Sequence, residues 1–277
     1  MKIAITGASG FVGRNVSSKL LNQGEEVIAI TRDASRIENI NSFKSIFEMD
    51  ITCPPKKCFE KMGSPDILIH LAWDGLPNYK SLHHYEQELS YQYNFIKLMI
   101  QDGLSSLVVT GTCFEYGMQS GKLSESTPTK PTNPYGYAKD ALRQQLEYLK
   151  SSNSFKLTWA RLFYMYGEDQ SRESLYPLLK HSIKRGDKVF NMSGGEQLRD
   201  YLHIEDVANK IVQIAMLQKD IGPVNICSGK PISVLSLVEN WLRENNSNIE
   251  LKLGYYPYPD YEPMEFWGDD SKFNSFF

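Results

Sequence analysis

No stretch of this 277-residue chain approaches the roughly 18 apolar residues that a membrane-spanning helix needs, so no membrane role is expected. Cysteine is scarce. Cys53, Cys58, Cys113 and Cys227 form no CxxC pair, which leaves neither a zinc site nor a disulfide framework. Charge of one sign is not in excess: the net value is −3, and a nucleic-acid surface is not expected. An anionic ligand would have to be held by local dipoles and a few placed cations. Histidine is sparse too. His83 and His84 are adjacent and His181 lies on a helix-like stretch, so no metal set or relay is expected and a structural or surface role suits all three. Internal repeats and low-complexity segments are absent. Strand character begins at residue 2, with no secretory leader ahead of it, and the expectation is a cytoplasmic protein.

What is present begins at the N-terminus. Residues 1–5 read as a strand, and Thr6-Gly7-Ala8-Ser9-Gly10-Phe11-Val12-Gly13 follows at once. An amphipathic stretch, Arg14 to Gln23, comes next. A strand that breaks into glycines and then a helix can hold a dinucleotide pyrophosphate on free N–H groups at the positive end of the helix dipole. In this reading Gly7 permits the tight turn, Gly10 lets backbone approach phosphate, and Gly13 allows close helix–strand packing. The spacing is GxxGxxG, not the GxGxxG of the dinucleotide fingerprint, and glycines alone would also suit an ordinary turn. Their place directly after the first strand favours the cradle.

Strand-like and helix-like runs then alternate. Strands are expected at Glu26–Thr31, Ser45–Met49, Asp66–Leu71, Ser105–Gly111 and Lys156–Arg161, with a long helix over Lys80–Asp102 and another over Tyr135–Lys150. This is the rhythm of βαβ units, and it predicts an α/β fold with a Rossmann-type doubly wound parallel sheet. After about residue 165 glycines and prolines break the rhythm, although Glu205–Leu217 and Ser233–Glu244 still read as helices. The Tyr- and Trp-rich tail from Gly254 to Phe277 reads as ordered irregular chain.

The end of the second strand bears on cofactor choice. An acid there contacts the ribose of NAD, whereas a nearby Arg accommodates the 2′-phosphate of NADP. Thr31 stands where the acid would be, and Arg32 follows; Arg14 could add a second cation. NADP(H) is favoured, and Asp33 keeps NAD(H) open. Asp50 and Ile51 are placed to contact adenine. Further on, Tyr135 and Lys139 lie four apart on one helix face, whereas Tyr137 faces away. A nearby ammonium favours phenolate, so Lys139 is expected to lower the pKa of Tyr135 and fit it for proton transfer to a carbonyl oxygen. Thr112, just past the fifth strand, can hydrogen-bond the same oxygen.

TGASGFVG (6–13), HLAW (70–73), VVTGTCFEYG (108–117), NPYGYAK (133–139), RLFYMYG (161–167) and LRDYLHIEDVA (198–208) run in order across most of the chain. In these residues the chain resembles the extended short-chain dehydrogenase/reductases, in the nucleotide-sugar epimerase/dehydratase family. The resemblance implies a Rossmann domain over 1–165, with 200–226 returning to it. It also implies a smaller, mixed C-terminal substrate-binding domain from 166–199 and 227–277. It implies a catalytic Thr112–Tyr135–Lys139 set and cofactor contacts from the glycine loop, Leu71, Ala72, Tyr135 and Lys139. For the nucleotide sugar it implies contacts from Phe114, Tyr164 and Arg199, the arginine meeting the diphosphate; the bland reading of Arg199 is a local ion pair with Asp200. Folds of this kind commonly pair through their long helices, so a homodimer is a further expectation.

Departures narrow the reaction. The Asp-Glu pair that dehydratases of the family carry after the catalytic Thr is Cys113-Phe114 here. Where epimerase-reductases place a Cys, Phe114 stands, with Cys113 one place off. Reduction of a 4-keto sugar and 4-epimerisation with tightly held NAD are left. GTCFEYG is similar to reductases acting on dTDP-4-dehydro-6-deoxyglucose in surface polysaccharide synthesis, and the NADP reading favours a reductase. A cofactor-binding regulator that lost turnover is the third reading. Tyr164 replaces the Asn usual in RxxNxYG, no Asn is evident near Glu88–Ser90, and a short C-terminal lid is expected.

Overall fold

Strand β1 (Lys2–Thr6) is central because its last four residues are buried on both faces, as a parallel strand between two helical layers requires. The computed structural model that shows this describes residues 1–37 and 39–277. Helix α1 (Phe11–Asn22) follows, then β2 (Glu26–Thr31), β3 (Ser45–Glu48) and β4 (Ile67–His70). Next come α2 (Leu89–Gln101), β5 (Ser106–Thr112), α3 (Pro134–Leu149) and β6 (Lys156–Leu162). Helices α4 (Leu175–Arg185) and α5 (Ile204–Met216), strand β7 (Gly222–Ile226) and helix α6 (Val234–Glu244) follow. The seven strands form one parallel sheet in the order β7-β6-β5-β4-β1-β2-β3. Strand order reverses between β1 and β4. In such a sheet the crevice beyond the strand ends at that reversal is where a ligand binds.

Helices cover both faces. Val16 and Leu20 of α1 and Val207, Ile211 and Ile214 of α5 pack on one. Phe95 and Met99 of α2 with Leu142 and Leu146 of α3 pack on the other. Each set recurs at three- or four-residue spacing, the stripe that a helix lays on a sheet. A separate core sits beyond the sheet, where Leu179 of α4 meets Val238, Trp241 and Leu242 of α6. Tyr166 and Tyr176 both approach Trp241 at 4.9 Å between ring centroids. The tail is ordered: Phe266–Gly268 pairs in parallel with Gly121–Leu123, and Phe273 returns to the sheet, buried beside α5 and β7.

The long helix expected over 80–102 is in two parts. A wide π turn, His84–Glu88, precedes α2. The extra residue per turn brings both His84 and Glu88 inward, where both are buried. Strand β5 runs to Thr112, one residue beyond the expected end, so Thr112 is the last residue of a rigid element. Among the described residues no helix is long and apolar enough to cross a membrane.

Candidate active site

The glycine turn joins β1 to α1, and it is tight. A Cβ at Gly13, inside the first turn of α1, would lie 2.0 Å from the Gly7 carbonyl oxygen, so only glycine lets the helix start there. Gly10 is the N-cap and no side chain caps the helix. The first N–H groups of α1 therefore face the crevice without a protein acceptor in the cap, which is the arrangement an anion fills. Thr6, at the end of β1, holds the next loop: its Oγ1 accepts from Leu71 N and Ala72 N. It also bonds His70 Nδ1 at 2.9 Å. The chain of contacts continues from His70 to Gln92 and from Gln92 to Glu88. His70 is held neutral, burial pushing its pKa down to about 3.

Two cavities meet at this turn, sharing Gly7, Gly10, Leu71 and Trp73. One, of about 330 Å³, is lined by Thr31, Arg32, Asp33, Arg36, Asp50 and Ile51 among others, so the residues expected at the adenosine end do come together. Thr31 is buried and its hydroxyl bonds backbone at Asp33. The Asp33 carboxylate accepts from Ser35 N and Oγ. Arg32 is exposed and lies 3.7 Å from Asp74. Arg36, overlooked in the sequence, adds a second cation to this lobe. Arg14 lines neither cavity; it bonds Ser9 O and lies 3.7 Å from Asp169.

The other cavity, of about 430 Å³, holds Phe11, Val12, Thr112, Cys113, Phe114, Tyr135, Lys139 and Tyr164 in its wall. Helix α3 delivers Tyr135 and Lys139 because Asn133 caps it, accepting from Gly136 N at 2.8 Å, and Pro134 takes the first position. Lys139 donates to Thr110 O at 2.8 Å and lies 4.0 Å from the centre of the Trp73 ring. Tyr135 is ringed by Tyr79, Trp73 and His84, at 5.6, 5.9 and 5.3 Å. His84 packs on Tyr135 from behind the cavity wall without lining it; its ring accepts from Trp73 Nε1 and donates to Asn78 O. Tyr79 and His84 lie in no motif, and Trp73 closes HLAW without a role that the motif assigns, which is why sequence reasoning passed over their part here.

The expected lowering of the Tyr135 pKa by Lys139 is not found. Burial dominates both groups. It pushes the Tyr135 phenol up, with Tyr79 and Glu115 adding to the rise and Thr112 opposing it. It pushes the Lys139 ammonium down to about 7, while Glu115 and Glu88 hold it up. Four residues on a helix bring the two side chains to one face, but the ammonium turns to the Thr110 carbonyl and the Trp73 ring, 5.9 Å from the centre of the Tyr135 ring.

Arg199 is buried and its partner is Glu262, at 3.0 Å, not Asp200. It also donates to Leu198 O and Met264 O and lies over the Phe266 ring. Asp200 instead accepts from Ser228 N and Gly229 N. Tyr164 packs on Tyr201 and Phe266, near Arg199. Tyr261, next to Glu262, reaches Tyr79 and Phe114. The tail thus packs on two residues of the cavity wall, a contact that distance in sequence conceals. Among the described residues no three His, Cys, Asp or Glu side chains gather as a metal set.

The two lobes, the uncapped helix end between them and the Tyr–Lys pair in the second lobe fit an extended dinucleotide laid across the turn. A family model described as NAD dependent epimerase/dehydratase family matches residues 3–227. Over 270 residues the chain is 33% identical to the dTDP-6-deoxy-L-talose 4-dehydrogenase (NAD(+)) of Aggregatibacter actinomycetemcomitans, covering 97% of this chain and 99% of that protein. It is 27% identical over 263 residues to a UDP-glucose 4-epimerase of Halalkalibacterium halodurans, covering 86% and 79%. A solved UDP-glucose-4-epimerase from Stenotrophomonas maltophila, with bound NAD and formylated UDP-arabinopyranose, matches with a TM-score of 0.87 at 21% identity, covering 99% of this chain and 91% of that one. At that identity the likeness is one of fold.

Proposed function

Because the chain belongs to the NAD dependent epimerase/dehydratase family, we propose that it reduces the 4-keto group of a nucleotide-linked 4-dehydro-6-deoxy sugar, with dTDP-4-dehydro-6-deoxy-D-glucose as the first candidate. One observation carries this reading. The wall of the reaction cavity contains Thr112, Tyr135 and Lys139 but, among the described residues, no Asp, Glu or His, and burial pushes up the thiol of Cys113, also in that wall, which keeps it from acting as a base. Dehydration, or epimerisation by deprotonation at carbon, needs a second acid–base group beside the reacting carbon. Hydride transfer at C4 needs only one proton donor.

A bound nicotinamide dinucleotide would supply the hydride. The N–H groups at the start of α1, with Gly7 to Gly13, would hold its phosphates, and the lobe of Thr31, Arg32, Asp50 and Ile51 its adenosine end. Tyr135 gives its phenolic proton to the C4 oxygen, and its raised pKa keeps that proton in place until the oxygen gains negative charge. Thr112 Oγ1 accepts from Phe114 N at 3.3 Å, which leaves its own O–H to donate to the same oxygen. Lys139 supplies positive charge behind the phenol. Arg199 meets the diphosphate with the Nη2 that Glu262 now occupies, and Tyr164 and Phe114 contact the sugar.

Arg32 and Arg36 beside the ribose end favour NADP(H). The NAD(+) in the name of the 33% identical relative keeps NAD(H) as the second reading. A 4-epimerase with retained NAD is the alternative reaction, in view of the UDP-glucose 4-epimerase relative. The test is NADPH and NADH oxidation with dTDP-, CDP-, GDP- and UDP-linked 4-keto sugars. Consumption with one of them is expected. Interconversion of 4-epimers without net cofactor consumption would establish the alternative, and no turnover of any of them would overturn both.

A further inference from the structure

Glu115 is a fully buried carboxylate behind the catalytic wall. Its Oε1 accepts from Thr112 N at 2.8 Å and from Trp159 Nε1 at 2.9 Å. Its Oε2 accepts from Arg161 Nε at 2.6 Å. Arg161, also buried, donates onward to the Tyr116 hydroxyl, which donates to Asn225. The strand leaves room for this: a Cβ at Gly111 would lie 2.1 Å from Trp159 Nε1 and 2.4 Å from Glu115 Oε1. Thr112 and Glu115 form a reciprocal capping box, each side chain accepting from the backbone at the other end of one turn. A charged pair in such a place is a poor way to gain stability alone, because its desolvation offsets much of its attraction.

We propose that Glu115 is a positioning residue for hydride transfer: its carboxylate pins Thr112 and supplies the negative charge that keeps Lys139 an ammonium. Pinning the Thr112 N–H fixes the end of β5 and so the direction of the Thr112 hydroxyl. The electrostatic part rests on what faces Lys139. Glu115 in the turn after β5 and Glu88 in the π turn both hold its pKa up, and Arg161, 2.6 Å from the Glu115 carboxylate, partly offsets the first of them. His70 at the end of β4 and His84 in the π turn also feel the Lys139 charge. Tyr135 shares its helix, and the Trp73 ring lies over its Nζ. Burial lowers the pKa of both histidines, which leaves the two carboxylates to offset the desolvation of the ammonium. Glu115 is fully buried and lines neither cavity. It acts through Thr112 and Lys139.

Only the kinetic half of this inference rests on the reduction proposed above, so the deciding readout is independent of turnover. ¹³Cε-lysine NMR titration of the ligand-free protein, with the Lys139 signal assigned through Lys139→Met, follows its ammonium directly. In Glu115→Gln the Lys139 midpoint is expected to fall by about one pH unit or more. In Trp159→Phe, which removes a hydrogen bond from the same carboxylate and leaves its charge, the midpoint should stay. Should the single variant not fold, Glu115→Gln/Arg161→Gln keeps a neutral hydrogen-bonded pair and is expected to show a smaller fall in the same direction, because a positive charge leaves with the negative one. With an active substrate, Glu115→Gln should lower kcat about tenfold or more while KM changes less than about twofold. An unchanged Lys139 midpoint in a folded Glu115 variant, or an equal shift in Trp159→Phe, would overturn the proposal. A substrate panel that gives no turnover would contradict the reductase reading and leave the titration result standing.

Discussion

At the scale of single residues, the site is a phenol and an ammonium that burial drives toward their neutral forms, raising the pKa of the one and lowering that of the other. Tyr135→Phe removes the phenolic proton proposed for the C4 oxygen. A loss of about 10²–10⁴-fold in kcat is expected, with the dinucleotide dissociation constant nearly unchanged by fluorescence titration. A cofactor-binding regulator would lose nothing. Lys139, with a pKa pushed down to about 7 by burial, gives a pH dependence. Its charge is present below that value and lost above it, so kcat/KM of the free enzyme is expected to decline as pH rises through about 7. At the cofactor's other end, Arg32→Ala should weaken NADPH far more than NADH in parallel titrations; equal effects on the two would count against a 2′-phosphate contact.

At the scale of elements, the glycine turn and helix α1 act as one piece. Gly13→Ala forces a Cβ to within 2.0 Å of the Gly7 carbonyl, and both atoms belong to backbone that cannot yield cheaply. A loss of about 1–3 kcal/mol in denaturant unfolding, together with loss of dinucleotide binding, is the expected outcome. That turn was legible in the sequence because glycine is chosen by backbone geometry, which is local. The YxxxK pair was legible for the same reason: Asn133 and Pro134 mark a helix start and the spacing is that of one helix face. What the sequence could not convey is where side chains turn once buried. Lys139 faces Thr110 O and Trp73, and Arg199 faces Glu262, 63 residues away. The π turn that buries His84 and Glu88 differs from an α-helix by one residue per turn, a difference hydrophobic spacing does not register. Thr112-x-x-Glu115 did carry a signal, since T-x-x-E is the spacing of a capping box.

At the scale of the whole molecule, the sheet's polarity places every reacting group at one edge, and the chain's end returns to brace it. Phe273 is buried against α5 and β7, with the Lys210 ammonium 3.9 Å from its ring centre. Lys272 donates to the carbonyls of Ile221 and Pro223. Phe273→Ala should therefore cost about 3–5 kcal/mol of global stability, read from urea unfolding, although it lies far from the glycine loop in sequence. Acid should loosen the fold through His70. Its folded pKa of about 3 lies below the ordinary 6.5, so the unfolded chain binds a proton first. The stabilisation is full above about 6.5 and is lost progressively as pH falls toward 3. The reductase reading comes down to where the hydride goes. Incubating the protein with C4-deuterated NADPH or NADH and a dTDP-linked 4-keto-6-deoxy sugar, then locating the label by mass spectrometry and NMR, tests it directly. Deuterium at C4 of the sugar, with one cofactor oxidised per sugar reduced, is the expected result; an unlabelled sugar, or 4-epimers formed with no cofactor consumed, would contradict it.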